Sequence, residues 1–237
     1  MNDKQQFTGQ VVLITGGSRG IGYAAAEAFL RQGAKVALCA QDGARLAKAL
    51  DDLGQLVPLG EVAGWPADVA DCQAVAELVR HTLERFGRID VLVNNAARLA
   101  VANFAEQDLA VIDQIIDVNL KGTLYATRAV LPHMLAQGSG CVINVSSSLG
   151  TFGMPRAAVY SASKFAQVGF TEALAEEVKD AGVRVYGMTL SMAATDMQEQ
   201  FSGYRQGMPP EMVAEEMLLL AGPNPPIRSG ACLDTYL

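Results

Sequence analysis

The sequence predicts an α/β fold: a doubly wound, mostly parallel sheet of about seven strands with helices on both faces. Three observations point to it. Short β-branched apolar runs alternate with segments of helical periodicity throughout the chain. The strand candidates are apolar on both faces, as in a sheet covered on two sides. Glycine, asparagine, serine and tyrosine gather near the carboxyl ends of those strands, where such sheets bind ligands.

The elements follow in order. VVLIT (Val11 to Thr15) reads as a buried strand ending at glycines. YAAAEAFLRQ continues as a helix that stops at Gly33, a C-terminal cap. KVALCA is a second strand, and Asp42 then caps a helix carrying Leu46, Leu50 and Leu53. A weak strand is expected near Glu61 to Trp65, and Asp71 caps a helix from Cys72 to Phe86. Ile89 to Asn95 is a strong strand. Helices follow from about Glu106 to Ala136, with a break near Asn119. Gly140 to Ser147 is the next strand, Ala157 to Lys179 a long helix, and Val183 to Leu190 another strand. A helix near Pro210 to Leu220 and a last strand at ACLDTYL complete the pattern. No linker or repeat divides it, so residues 1–237 are expected to form one domain with a small substrate lid around 190–210.

The composition excludes several classes. Half the residues are hydrophobic, which suits a packed domain and not a disordered chain. No apolar run approaches the ~20 residues of a membrane span, and MNDKQQFTGQ lacks a signal-peptide core, so a cytoplasmic location with no membrane partner is expected. A net charge of −7 argues against nucleic acid as a partner. Cys39, Cys72, Cys141 and Cys232 form no paired motif and read as reduced, structural residues. His81 and His133 have no ligand-like spacing, so no metal site is expected.

TGGSRGIG (Thr15 to Gly22) joins the first strand to the first helix. Its glycines permit a tight turn and close approach to a pyrophosphate, and the helix start offers free N–H groups to the anion. Further along, YSASK places Tyr160 and Lys164 four residues apart on one helix face. Alone, such a pair means little. Chemically it is coherent: a free tyrosine, with a pKa near ~10, is a poor proton shuttle, and a nearby ammonium favours its phenolate. A tuned phenol can then give a proton to a carbonyl oxygen or take one from an alcohol.

The loop spacing of glycine, three residues, glycine, one residue, glycine resembles the short-chain dehydrogenase/reductase family, and the resemblance covers nearly the whole chain. It implies a Rossmann fold and an NAD(P)-dependent oxidoreductase. Gly16, Ser18, Arg19, Gly20, Ile21 and Gly22 would then hold the cofactor, with Gln41 at the end of the second strand. Asp68 with Val69 matches the acidic segment that meets the adenine. Asn95 and Ala96, within NNAA, match the segment beside the cofactor, with Ala97 replacing the family's usual glycine. Thr195 matches the threonine that contacts the nicotinamide carboxamide. Ser147, thirteen residues before Tyr160, matches the catalytic serine; Ser146 and Ser148 flank it, and spacing selects between them.

The implied mechanism has Ser147 hydrogen-bond the substrate oxygen while Tyr160 transfers the proton. Lys164 binds the nicotinamide ribose and lowers the Tyr160 pKa. Asn119, in DVNLKG, holds a helix kink and anchors a relay water leading to Lys164. Hydride passes between nicotinamide and substrate carbon. Leu190 and Ser191 stand where many members carry Pro-Gly, which leaves the geometry of that loop open.

Leu149, Phe152, Met154, Met192 and Phe201 suggest an apolar substrate pocket, or packing of the lid. NADP is expected over NAD, because the second strand ends in Ala40 and neutral Gln41, and Arg19 can meet a 2′-phosphate. A homotetramer or homodimer is expected through the helices at 120–136 and 157–179, whose apolar positions include Leu124, Val130, Leu131, Val168, Phe170 and Leu174. The substrate is expected to be a free small molecule. An acyl group on a carrier protein is the alternative, opposed by Glu172, Glu176 and Glu177 and kept open by Arg98, Arg128 and Arg156. A second alternative, from another class, is a nucleotide-binding regulator without catalysis.

Overall fold

The computed structural model describes residues 5–235, apart from the side chains of residues 200–202. Seven strands form one parallel sheet in the order β3-β2-β1-β4-β5-β6-β7. They are β1 (Val11–Thr15), β2 (Lys35–Ala40), β3 (Val62–Pro66), β4 (Val91–Asn94), β5 (Gly140–Val145), β6 (Val183–Leu190) and β7 (Cys232–Thr235). The chain steps outward from β1 to β3, then returns to place β4 on the other side of β1, in register Val12 with Val91. That reversal opens a crevice beyond the carboxyl ends of β1 and β4.

The helices between strands are α1 (Gly20–Arg31), α2 (Gly43–Leu56), α3 (Cys72–Phe86), α4 (Leu109–Ile116), α5 (Gly122–Gln137), α6 (Ala158–Val178), α7 (Asp196–Ser202) and α8 (Pro210–Ala221). Alternate strand residues feed two cores. Val12, Ile14, Val36, Leu38 and Ile143 join the core under α1, α2 and α8. Leu13, Ala37, Cys39, Leu92 and Val142 join the core under α3, α5 and α6. This period-two division explains why the strands are apolar on both sides.

The expected caps form: the Asp42 and Asp71 carboxylates accept from the N–H groups of Arg45 and Gln73, and Gly33 takes φ +83° after α1. The expected break near Asn119 is a π-helical turn over Asp117–Lys121, between α4 and α5. Two expectations need correction. The fifth strand stops at Val145, so Ser146 and Ser147 lie beyond it at the sheet's edge. Cys72 is exposed at the start of α3, so it is no structural thiol, whereas Cys39 and Cys141 are buried. The last strand is seen from Cys232 to Thr235; its expected final residues lie outside the described residues.

After β6 the chain doubles back. Ser191 N–H donates to the Thr235 carbonyl, and the backbones of Ala193 and Met208 pair in a short parallel bridge. This bridge fixes the loop in which Leu190 and Ser191 replace Pro-Gly. Thr195 caps α7, its hydroxyl accepting from Gln198 N–H, and Arg205 pairs with Asp196 and Glu199 across the turn.

Candidate active site

A cleft of about 800 Å³ runs along the carboxyl ends of the strands, from the glycine loop to Tyr160. Every expected cofactor residue except Gly22 lines it. Gly22 acts from behind. A side chain there would meet the Gly16 carbonyl at 2.4 Å and the Asn95 amide at 2.6 Å, so the loop closes only around a glycine. Gly16 itself takes φ +68°, and a Cβ on it would sit 2.9 Å from Ala96 Cα. Asn95 is the staple of this turn: its Nδ2 donates to the carbonyls of Thr15 and Gly16, while the Thr15 hydroxyl accepts from the N–H groups of Asn95 and Ala96.

The first turn of α1 has no side-chain cap and no acidic residue. Its free N–H groups and positive end face the cleft, which is what a pyrophosphate requires. At the adenine end, Gln41 donates to Asp68, and the Asp68 carboxylate accepts from Ala70 N–H. Arg19 is engaged by Asp196 of α7 at 2.8 Å, a contact between glycine loop and lid that the sequence did not reveal. Arg45 also lines the cleft here and was not among the expected residues. These features fit a dinucleotide along this edge.

The opposite end of the cleft holds Ser147, Tyr160 and Lys164, and Asn119 lies behind them. Ser147 caps a short 3₁₀ turn, its hydroxyl accepting from Leu149 N–H, and it also touches Tyr160. Ser146 and Ser148 line the cleft as well; the Ser148 carbonyl accepts from the Thr151 hydroxyl, and the Ser146 hydroxyl donates to the Lys164 carbonyl.

Lys164 is 1% exposed. Its Nζ donates to the Val145 carbonyl at 2.8 Å and to Gln167 Oε1 at 2.9 Å, and lies 5.6 Å from the centre of the Tyr160 ring. Burial pushes the ammonium down to about 7 and pushes the Tyr160 phenol up to about 12, with the Ser147 contact acting the other way on the phenol. The resemblance implied a depressed tyrosine. Here the phenol is raised instead, with desolvation by burial as the largest cause.

Asn119 is fully buried in the π-helical turn. Its side chain accepts from Arg98 N–H and donates to the Arg98 carbonyl and the Ser163 hydroxyl. The side chain therefore ties the loop after β4 to α6. Its carbonyl accepts from the Thr123 hydroxyl and from Gln167 Nε2.

Of the expected apolar residues, Leu149, Phe152, Met154 and Met192 line the cleft, while the Phe201 side chain lies outside the described residues. Leu99 and Met197 line it too. Arg98 and Arg128 do not gather: Arg98 faces this cleft, and Arg128 lines a separate groove between α3 and α5.

Residues 10–205 match the family model of the short chain dehydrogenases. The chain is 39% identical, over 87% of its length and 88% of the relative's, to an uncharacterized oxidoreductase of Staphylococcus saprophyticus. It is 36% identical to a 3-oxoacyl-[acyl-carrier-protein] reductase of Synechocystis, over 92% of this chain and 91% of that one. A 3alpha-hydroxysteroid dehydrogenase of Mediterraneibacter gnavus is 32% identical over 79% of this chain and 75% of its own. The crystal structure of levodione reductase superposes with a TM-score of 0.89 at 27% identity, covering 97% of both chains. The chain therefore belongs to the short-chain dehydrogenase family and is a nicotinamide-dependent oxidoreductase acting between a carbonyl and an alcohol.

Proposed function

We propose that this enzyme reduces the carbonyl of a free, largely apolar small molecule, with NADPH preferred, and that Ser147, Tyr160, Lys164 and Asn119 serve the reaction. One observation carries the reading: a phenol held protonated and a serine hydroxyl stand together at the apolar end of a cleft whose other end suits a pyrophosphate. The bound nicotinamide supplies the hydride. Ser147 orients the carbonyl oxygen by hydrogen bonding, and Tyr160 gives it a proton as negative charge develops there. Lys164, beneath the Tyr160 ring, balances the phenolate left behind. Asn119 keeps the loop after β4 and α6 in register, so that the cleft wall at Arg98 and Leu99 holds its shape. Leu149, Phe152, Met154 and Met192 exclude water from the reacting carbon. Residues 190–210 form a small lid on a single domain, joined to the glycine loop by Arg19 and Asp196.

The NADPH preference rests on charge. No carboxylate ends β2, where Ala40 is followed by Gln41, and Arg19 and Arg45 both line that end of the cleft. A 2′-phosphate would displace Asp196 from Arg19 and gain charge-assisted bonds. A panel of ketones and alcohols assayed with both cofactors, read by nicotinamide absorbance, tests the reading. NADPH-dependent reduction of at least one apolar ketone is expected. Absence of turnover with every compound would favour a nucleotide-binding regulator.

A further inference from the structure

Gln167 lies one turn beyond Lys164 on α6 and is 1% exposed. A buried amide is expensive unless its hydrogen bonds are made. This one makes three, all at the back of the reacting pair. Its Oε1 accepts from Lys164 Nζ at 2.9 Å, and its Nε2 donates to the Asn119 carbonyl at 2.7 Å and to the Thr123 hydroxyl at 2.8 Å. The Asn119 carbonyl sits in the π-helical turn, where the regular helical ladder is interrupted. Gln167 therefore spans from the ammonium to the kink.

We propose that Gln167 is the positioning residue of the Tyr160–Lys164 pair, fixing the Lys164 ammonium by a direct amide bridge to the Asn119 turn. The proposal rests on the reading that Lys164 serves catalysis. The amide cannot rotate away from the ammonium without stranding Nε2, since its two other contacts anchor it from α5 and the turn. It also supports the charged form. Among the groups packed on Lys164, Tyr160 on its own helix is titratable. The Val145 carbonyl of β5, Gln167, and the Asn119 and Thr123 contacts behind it are neutral, so among the described residues no carboxylate bonds the buried ammonium. Oε1 is the only side-chain acceptor that Lys164 Nζ bonds among the described residues.

The test compares Gln167→Leu, which deletes the acceptor, with Gln167→Glu, which places a carboxylate at the same length. Carbon-13 lysine NMR, with Lys164→Met for assignment, follows the Lys164 ammonium without needing turnover. The midpoint is expected to fall in Gln167→Leu and to rise in Gln167→Glu, each by roughly one pH unit. The pH profile of kcat should move in the same two directions. If Gln167→Leu does not fold, Gln167→Met serves as the apolar variant of similar length. Midpoints equal to wild type in both variants, or displaced in one direction in both, overturn the proposal. A wild-type enzyme without turnover would instead overturn the catalytic reading, while the NMR midpoints still decide the role of Gln167.

Discussion

Tyr160 and Lys164 show how one cause acts oppositely on two groups. Burial disfavours charge, so it raises the phenol to about 12 and lowers the ammonium to about 7. On the proposed mechanism, Tyr160→Phe removes the proton donor and leaves the nucleotide's contacts in place. Turnover is expected to fall by at least a hundredfold while the cofactor dissociation constant, read by fluorescence titration, changes little. Carbonyl reduction by the wild type should decline as pH rises through about 7, since Lys164 then loses the charge that balances a Tyr160 phenolate. A flat profile to pH 9 would contradict this. Stability follows the same group with its own sign. The folded pKa near 7 lies below the ordinary 10.5, so between those values the unfolded chain binds a proton that the folded chain lacks. Stability from this group therefore rises with pH across the window. Urea denaturation from pH 7 to 10 should show that rise in the wild type and not in Lys164→Met.

At the scale of elements, the turn at Asp117–Lys121 joins catalysis to architecture. In this π-helical turn the Asn119 carbonyl accepts from the Thr123 hydroxyl and from Gln167 Nε2. The Asn119 side chain meanwhile clamps both backbone groups of Arg98. Asn119→Ala strips partners from buried groups and should cost about 1–3 kcal/mol in urea denaturation. Because Arg98 lines the cleft, the apparent KM should rise as well. A variant of unchanged stability and KM would refute the clamp. The lid element behaves differently: α7 is tied by exposed ion pairs, so Asp196→Asn should leave stability nearly unchanged.

The molecule as a whole presents apolar surface on the helices expected to pair. Val130 and Leu174 are buried within the chain's own core, which removes them from the expected interface. Leu124, Leu131, Val168 and Phe170 are half-buried, and Leu109, Leu135 and Phe165, on α4, α5 and α6, are exposed. Exposed apolar groups on neighbouring helices favour association. A homo-oligomer, most simply a tetramer, is expected in light scattering at micromolar concentration, and a monomer would reject it. The acidic charge of −7 bears on substrate choice at the same scale. An acidic carrier protein would meet like charge, so a carrier-linked 3-oxoacyl group should be no better a substrate than a small thioester of the same acyl part. Cofactor choice is charge-based too: catalytic efficiency should be higher with NADPH, and Arg45→Ala should narrow the gap.

The seven strands, the helices between them and the caps at Asp42, Asp71 and Gly33 were all legible in the sequence, because periodicity and capping are local. So was the placing of the glycine loop, Ser147, Tyr160 and Lys164 along one cleft, since a parallel sheet brings the ends of its strands to one edge whatever the details, though Arg45 was not expected there. Contacts between segments far apart in the chain were not legible. Asn95 reads as a ligand residue, and its amide also bonds the carbonyls of Thr15 and Gly16 in the glycine loop. Arg19 reads as free for a phosphate and is held by Asp196. Gln167 reads as one more helix residue, yet it bridges Lys164 to Asn119, 48 positions earlier. A side chain's partner depends on which helix is laid against it and at what height. Packing of the whole sheet sets both, and neither leaves a periodic trace in the residue's own neighbourhood.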